Sequence, residues 1–120
     1  NDGPGVIVGR WSSAWVVGNQ IAGNNSHGVI VDRQSQADVQ ANDISGNGGD
    51  GIRVSHGSAV NFDSEGSDMV INEPNRTTAV NAGAGVRCEI GGYVSGRLGS
   101  LNGKTGSRQT AKGCVDNTTP

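Results

Sequence analysis

Both histidines of this chain occur in the same tripeptide, Ser26-His27-Gly28 and Ser55-His56-Gly57. An imidazole beside a hydroxyl is raw material for general-base or nucleophilic chemistry. Four carboxylates, Asp32, Asp38, Asp43 and Asp50, crowd the stretch that follows His27. Two carboxyl groups ~5 Å or ~6.5–9.5 Å apart can cleave a glycosidic bond. Arg10 and Arg33 lie 23 residues apart, and His56 lies 23 further on. Trp11 and Trp15 follow the first of these arginines, and aromatic rings stack on sugar rings. Whether any of these groups meet depends on the elements that carry them.

Those elements repeat. Gly5-Val6-Ile7-Val8 returns as Gly28-Val29-Ile30-Val31 and again as Gly51-Ile52-Arg53-Val54, at a spacing of 23 each time. Ser12, Ser35 and Ser58 keep the register, as do Asn19 with Asn42, Ile21 with Ile44, and Asn24 with Asn47. A period of this length is the mark of a solenoid. Apolar residues alternate within each repeat, which points to strands and not helices. With 21 glycines and only Leu98 and Leu101 as leucines, helical and leucine-rich repeats are disfavoured. The expected fold is a coil of short strands, each paired with its copy one turn along, ~4.8 Å away. Val6/Val29/Ile52, Val8/Val31/Val54 and Val16/Val39/Phe62 would stack inward. Glycines 5, 28 and 51 suit corners that turn tightly or take positive φ. Asn19 over Asn42 and Asn24 over Asn47 would form amide ladders.

The stretches "GNQIAGNNSHGVIV" and "ANDISGNGGDGIRV" resemble the repeat of the right-handed parallel β-helix (pectin-lyase-like) superfamily, N-x-I-x-G-N-x(2 or 3)-x-G-I/V-x-V. The resemblance covers residues 4 to about 62. It implies an all-β, right-handed parallel β-helix of about five rungs with a C-terminal cap. It leaves function open, because many chemistries are mounted on that scaffold. Pectate lyases, polygalacturonases, alginate-modifying enzymes, phage tailspikes and secreted surface proteins share it. Residues 1–62 are expected to hold the regular rungs. Residues 63–84 form an irregular rung with an outward loop over 72–79. Residues 85–120 supply the terminal rung or rungs and the cap, with a Lys/Arg/Ser/Thr-rich loop and a frayed "DNTTP" tail. The start "NDGPGV" lies at a rung corner, with no Met and no apolar leader, so the chain reads as a processed or truncated C-terminal piece. The missing N-terminal rungs, or a sister chain, would cover its open edge.

With the period fixed, the candidate chemistry can be sorted. The two Ser-His-Gly copies sit at different phases of the repeat. They resemble the Gly-His-Gly element of polygalacturonases, but that family's Asn-Thr-Asp, Asp-Asp and Arg-Ile-Lys elements are absent. The four aspartates find no acid one period away: their partners are Gly9 and Ser55, Trp15 and Asn61, Gln20, and His27. Lyases of this fold use a Ca²⁺-binding acid cluster with a basic residue. Ca²⁺ is therefore expected only if the chain is a lyase, and no other cofactor or metal site is. "GNGGDGIRV" lacks the tandem nine-residue period of a Ca²⁺-binding array, and the threonines lie off the repeat, against an ice-binding ladder. What survives is a ridge of Arg10, Arg33 and His56 beside Trp11 and Trp15. It is a candidate surface for a polysaccharide or glycan. Alternation turns Trp15 outward between Ala14 and Val16. Either tryptophan could instead cover a corner or meet another rung or chain.

Cys88 and Cys114 are 26 apart, one rung plus a small insertion. In an exported β-helix they are expected to form a disulfide that pins the cap, the alternative being two buried thiols. A disulfide implies the periplasm, cell surface, virion or medium. Asn-x-Ser/Thr sequons stand at Asn24, Asn75 and Asn117. Charge is interspersed and nets −2, which leaves no nucleic-acid footprint, and no apolar run is long enough for a membrane span. Two functions follow. One is part of a secreted or surface polysaccharide-binding or -processing protein, without a complete catalytic constellation in these residues. The other is a structural shaft, adhesin or tailspike assembly module with no carbohydrate chemistry.

Overall fold

The computed structural model describes residues 2–63, 73–111 and 113–120. Among them the regular elements are all strands: β1 Val6–Val8, β2 Ser13–Val17, β3 Gln20–Ala22, β4 Val29–Val31, β5 Gln36–Gln40, β6 Asp43–Ser45, β7 Ile52–Val54, β8 Ala59–Asn61, β9 Val86–Cys88, β10 Tyr93–Arg97, β11 Arg108–Thr110 and β12 Val115–Thr119. Every pairing between them is parallel. The first wall runs β1-β4-β7-β9-β11, the second β2-β5-β8-β10-β12, and the third holds β3 and β6. The chain thus coils through about five turns. Val6 pairs with Val29 and Val29 with Ile52, the 23-residue register of the sequence.

Side-chain alternation fills the coil. Val29, Val31, Val39, Ile44, Ile52, Val54, Val60 and Phe62 are fully buried. Both amide ladders form. Asn24 Nδ2 donates to Asn47 Oδ1 at 2.9 Å, and Asn47 Nδ2 to Asn81 Oδ1 at 2.9 Å. On the other corner Asn19 donates to Asn42 and Asn42 to Asn75. The amides of Asn42, Asn47, Asn75 and Asn81 each also accept a backbone N–H from the rung before, so one side chain satisfies several buried groups. The sequons at Asn24 and Asn75 lie inside these ladders, 8% and 1% exposed, whereas Asn117 lies on exposed β12.

Gly28 shows why the repeat phrase needs glycine. Its φ is not positive; a Cβ there would lie 2.7 Å from the Gly51 carbonyl oxygen and 2.9 Å from Asn47 Nδ2. Close rung-to-rung approach is the requirement, not left-handed geometry.

Three expectations for the second half need correction. The outward loop expected over 72–79 is placed otherwise for its described part. Asn75 is buried in the ladder, Arg76 bridges Asp43 and Ser100, and Thr77 Oγ1 donates to the Ile44 carbonyl. The third wall therefore continues there, and the part of that loop at residue 72 lies outside the described residues. The Lys/Arg/Ser/Thr-rich loop contains β11, which pairs with β9. The tail expected to fray is β12, paired with β10 over its whole length, and Leu98 donates to the Thr119 carbonyl at 2.8 Å. In each case backbone pairing with the previous rung outweighs a polar local sequence.

The terminal rung is polar where the others are apolar. Arg108 takes the column of Val86, Thr110 that of Cys88, and Asp116 that of Val94. Arg108 Nε stands 3.5 Å from Asp116 Oδ2, which closes the core with an ion pair. Burial pushes the Asp116 carboxyl up, but hydrogen bonds from Thr118 and the Arg108 charge outweigh it and hold it below its usual value. Cys88 and Cys114 form a disulfide with a Cα–Cα distance of 5.6 Å, joining the fourth rung to the start of this cap.

Candidate functional site

The corner between the first and second walls carries the candidate ridge. Arg10, Arg33, His56 and Ile90 occupy one column at φ 58°, 57°, 55° and 52°. The next column, Trp11, Gln34, Gly57 and Gly91, has φ between 65° and 73°. Each corner is thus two successive left-handed residues, a geometry that favours glycine. Six of these eight positions carry side chains, at roughly 1–2 kcal/mol of backbone cost apiece. Rung-to-rung bonds hold them there: Trp11 donates to the Arg33 carbonyl at 3.1 Å, Gln34 to His56 at 3.0 Å and Gly57 to Ile90 at 3.1 Å. Backbone strain of this kind, over-determined by its surroundings, is a recurrent property of functional surfaces.

The corner throws its side chains outward. Trp11 is 80% exposed, and Arg10, Arg33 and His56 are exposed too. Trp15, on β2, is 67% exposed, as alternation required. Shallow grooves run on either side of the ridge. One, of about 460 Å³, is lined by Ile7, Gly9, Arg10, Ser12, Asp32 and Arg33. The other, of about 390 Å³, is lined by Ser13, Trp15, Gln36 and Asp38 among others. Asp38 pairs with Trp15 on one side and with Asn61 on the other, so an aromatic ring and successive polar groups share one outward column.

Ion pairing separates the ridge from the remaining described arginines that are engaged. Arg87 Nε sits 2.9 Å from Asp50, Arg76 Nε 3.7 Å from Asp43, and Arg53 pairs with Glu89. Arg10 and Arg33 have no such carboxylate among the described residues. Two guanidinium-bearing positions one rung apart, ~4.8 Å, leave a positive ridge that a polyanion would neutralise.

The other sequence candidates separate. His27 is largely covered: its Nδ1 accepts the Asp50 N–H at 2.8 Å and lies 3.3 Å from Asp50 Oδ2. A neutral imidazole cannot both accept there and donate to the carboxylate, and the shorter contact makes Nδ1 the acceptor. Burial pushes the Asp50 carboxyl up; with Nδ1 accepting, it is the hydrogen bonds from Arg87 and the Ala84 N–H, with the Arg87 charge, that reverse this and hold the carboxyl below its usual value. The 23-residue spacing already set His27 against Asp50; Arg87 joins them only in the fold, because the extra residues of the third rung break the period before it. Asp43 is held below its usual value first by Ser45, against burial, and then by Thr78 and Arg76. Its carboxylate is thus occupied in bracing the third wall.

Among the described residues no group of three His, Cys, Asp or Glu is placed to hold a metal ion. The acid cluster that Ca²⁺-assisted lyase chemistry needs is thus not assembled by them. Asp32 and Glu89 flank Ser55 in one column, two rungs apart, but Glu89 is engaged by Arg53. No helix among the described residues is long and apolar enough to cross a membrane.

The family model described as right-handed β-helix region matches residues 1–97. No curated protein and no solved structure matches the chain.

Proposed function

The chain belongs to the right-handed β-helix family, and from that premise we propose that it is the β-helix module of a secreted or surface protein that binds an acidic polysaccharide. The observation that carries this reading is the pair Arg10 and Arg33, held outward on a left-handed corner without a carboxylate partner among the described residues, beside exposed Trp11. A polymer lying along the ridge would meet a guanidinium on each of the first two rungs and an aromatic face at its end. Trp15 with Asp38 offers hydroxyl-binding groups in the neighbouring groove. His56 extends the same column one rung further. The disulfide supports an oxidising compartment.

Affinity electrophoresis in gels containing a polyuronate, a sulfated glycan or a neutral glucan tests this. The acidic polymers should retard the chain at low salt, and Arg10→Ala with Arg33→Ala should abolish retardation. Equal mobility in all three gels, or retardation unaffected by the double variant, overturns it. The same polymers, assayed for new reducing ends and unsaturated products with and without Ca²⁺, report any turnover.

The alternative, an assembly module without carbohydrate chemistry, rests on the open edges of β1, β2 and β3.

A further inference from the structure

The two histidines are set to different work. With both cysteines in the disulfide, His27 and His56 are the two side chains of a type that gains charge between about pH 8 and 5. His27 is half-buried, and its Nδ1 already accepts the Asp50 N–H at 2.8 Å, so a proton there displaces a structural bond. His56 carries no such duty. It is exposed, and it stands third in the column of Arg10 and Arg33.

The backbone holds His56 on the ridge whatever its charge. Its φ of 55° matches the 58° and 57° of the two arginines, and its carbonyl accepts the Gln34 N–H at 3.0 Å. Ser55 Oγ lies 3.0 Å from its Nδ1. A hydroxyl can donate to a neutral Nδ1 and accept from a protonated one, so that contact serves both states. The charged groups around the ring are few. Arg33 lies one rung before it in its own column, and the residue one rung after is the uncharged Ile90. In the adjoining column Asp32 and Glu89 stand on the rungs before and after Ser55, and Glu89 is engaged by Arg53. Among the described residues no carboxylate forms an ion pair with His56. A proton on this ring therefore adds a cation next to Arg33 with no fixed counter-ion. Like charges on neighbouring rungs repel, and an anionic chain laid across both relieves that repulsion.

On the reading that the ridge holds an acidic polymer, we infer that His56 is its titrating third contact: the site offers two cations at neutral pH and three in mild acid, so it takes up polyanion as pH falls and releases it as pH rises. The gain goes to chains that carry three or more anionic groups in a row; a ligand with two is already matched by the arginines.

Dextran sulfate tests this, because its sulfate groups stay ionised throughout and leave only the protein to titrate. Its binding to the full chain is measured calorimetrically at fixed ionic strength at about pH 7.5 and about pH 5.5, either side of the imidazole range. The parent should bind about threefold more tightly at the lower pH, the size of one exposed charge pair. His56→Gln should bind equally at both; Gln34 shows that glutamine is accommodated at a left-handed corner. His56→Arg, the residue that Arg33 shows to fit this column, should bind at about pH 7.5 as the parent does at about pH 5.5, with no further gain. Parent affinity that is the same at both pH values, yet still abolished by Arg10→Ala with Arg33→Ala, overturns the role of His56 and leaves the ridge standing. So does a pH gain that survives in His56→Gln. No binding at either pH, or binding untouched by the arginine pair, overturns the ridge itself and the role of His56 with it.

Discussion

In the first rung the inward columns begin with Val6, Val8 and Ala14; in the last they end with Arg108, Thr110 and Asp116. The backbone path is the same at both ends, since each rung pairs in parallel with its neighbour. The difference lies in what the column positions do with the exposed side of the coil. At the C-terminal end an ion pair and threonines replace core, so the last strand edges face water with polar side chains beneath them. The disulfide then ties that rung to the one before. At the N-terminal end the apolar columns run to the edge and the amide ladders point outward. A solenoid is stable through nearest-neighbour contacts, so an end can either be closed chemically or be left in the form of an interior interface. The polar residues of β11 and β12 follow the first course, and the strands and ladder amides of the first rung keep the interior pattern.

Substitutions within one ladder should break that contrast most strongly. Asn47 makes four side-chain bonds, to Asn24 N, Asn24 Nδ2, the Ile21 carbonyl and Asn81 Oδ1. Asn81 Oδ1 keeps the Asn47 N–H, so Asn47→Ala leaves three groups unpaired and should cost about 3 kcal/mol in urea unfolding, at roughly 1 kcal/mol each. Asn24→Ala, at the open end, should cost about 1 kcal/mol. Equal costs would mean that the first rung is held as firmly by its ladder as the second.

Removing the disulfide sharpens the other end. Cys88→Ala with Cys114→Ala opens a 26-residue loop and should cost about 3 kcal/mol. Hydrogen exchange should speed up in β11 and β12 and stay unchanged in β1–β6. A uniform loss of protection would show that the coil unfolds as one unit from either end.

Acid should act in the middle. The Asp50 carboxyl titrates at about 2 when folded, below its unfolded value of ~3.9. Its contribution is therefore complete above pH ~4 and is lost as pH falls from ~4 toward 2, roughly 2–3 kcal/mol in all. Asp50→Asn should flatten thermal stability across that window.

The smallest change in stability should carry an informative change in behaviour. Arg108→Val with Asp116→Val converts the cap into an apolar column end. The exposed pair contributes under ~1 kcal/mol, so the urea midpoint should hardly move. Sedimentation velocity should show stronger concentration-dependent association than in the parent. A monomeric double variant would show that the strand edges of β11 and β12, and not the polar cap, govern association.

The readable part of the sequence was the part where each column keeps its residue type. Val6/Val29/Ile52 and Asn24/Asn47 announce both period and facing. The ladders in fact run on to Asn75 and Asn81, at separations of 33 and 34 from Asn42 and Asn47. Aligning "NRTTAVNAGAGVRC" with "NDISGNGGDGIRV" would have found them, but the extra residues before Asn75 break a fixed-period search. About five rungs were expected, with the terminal one within 85–120, but the strands of the fifth were hidden for a different reason. Arg108, Thr110 and Asp116 are strand residues by pairing alone, and no local pattern marks them. For the ridge, spacing placed Arg10 over Arg33, and alternation turned Trp15 out. Their left-handed backbone was not legible, because Arg, Trp, Gln and His carry no signal for positive φ. It is imposed by the ladder.

The Cys88–Cys114 bridge also gives the molecule a mechanical polarity. A pull on the C-terminus can peel β12 from β10, but the tension then passes through the sulfurs directly into β9. The segment between them, spanning a sequence separation of 26, cannot unravel, which withholds roughly 90 Å of contour length at ~3.5 Å per residue. A pull on the N-terminus meets no such stop, and the coil would unwind rung by rung from β1.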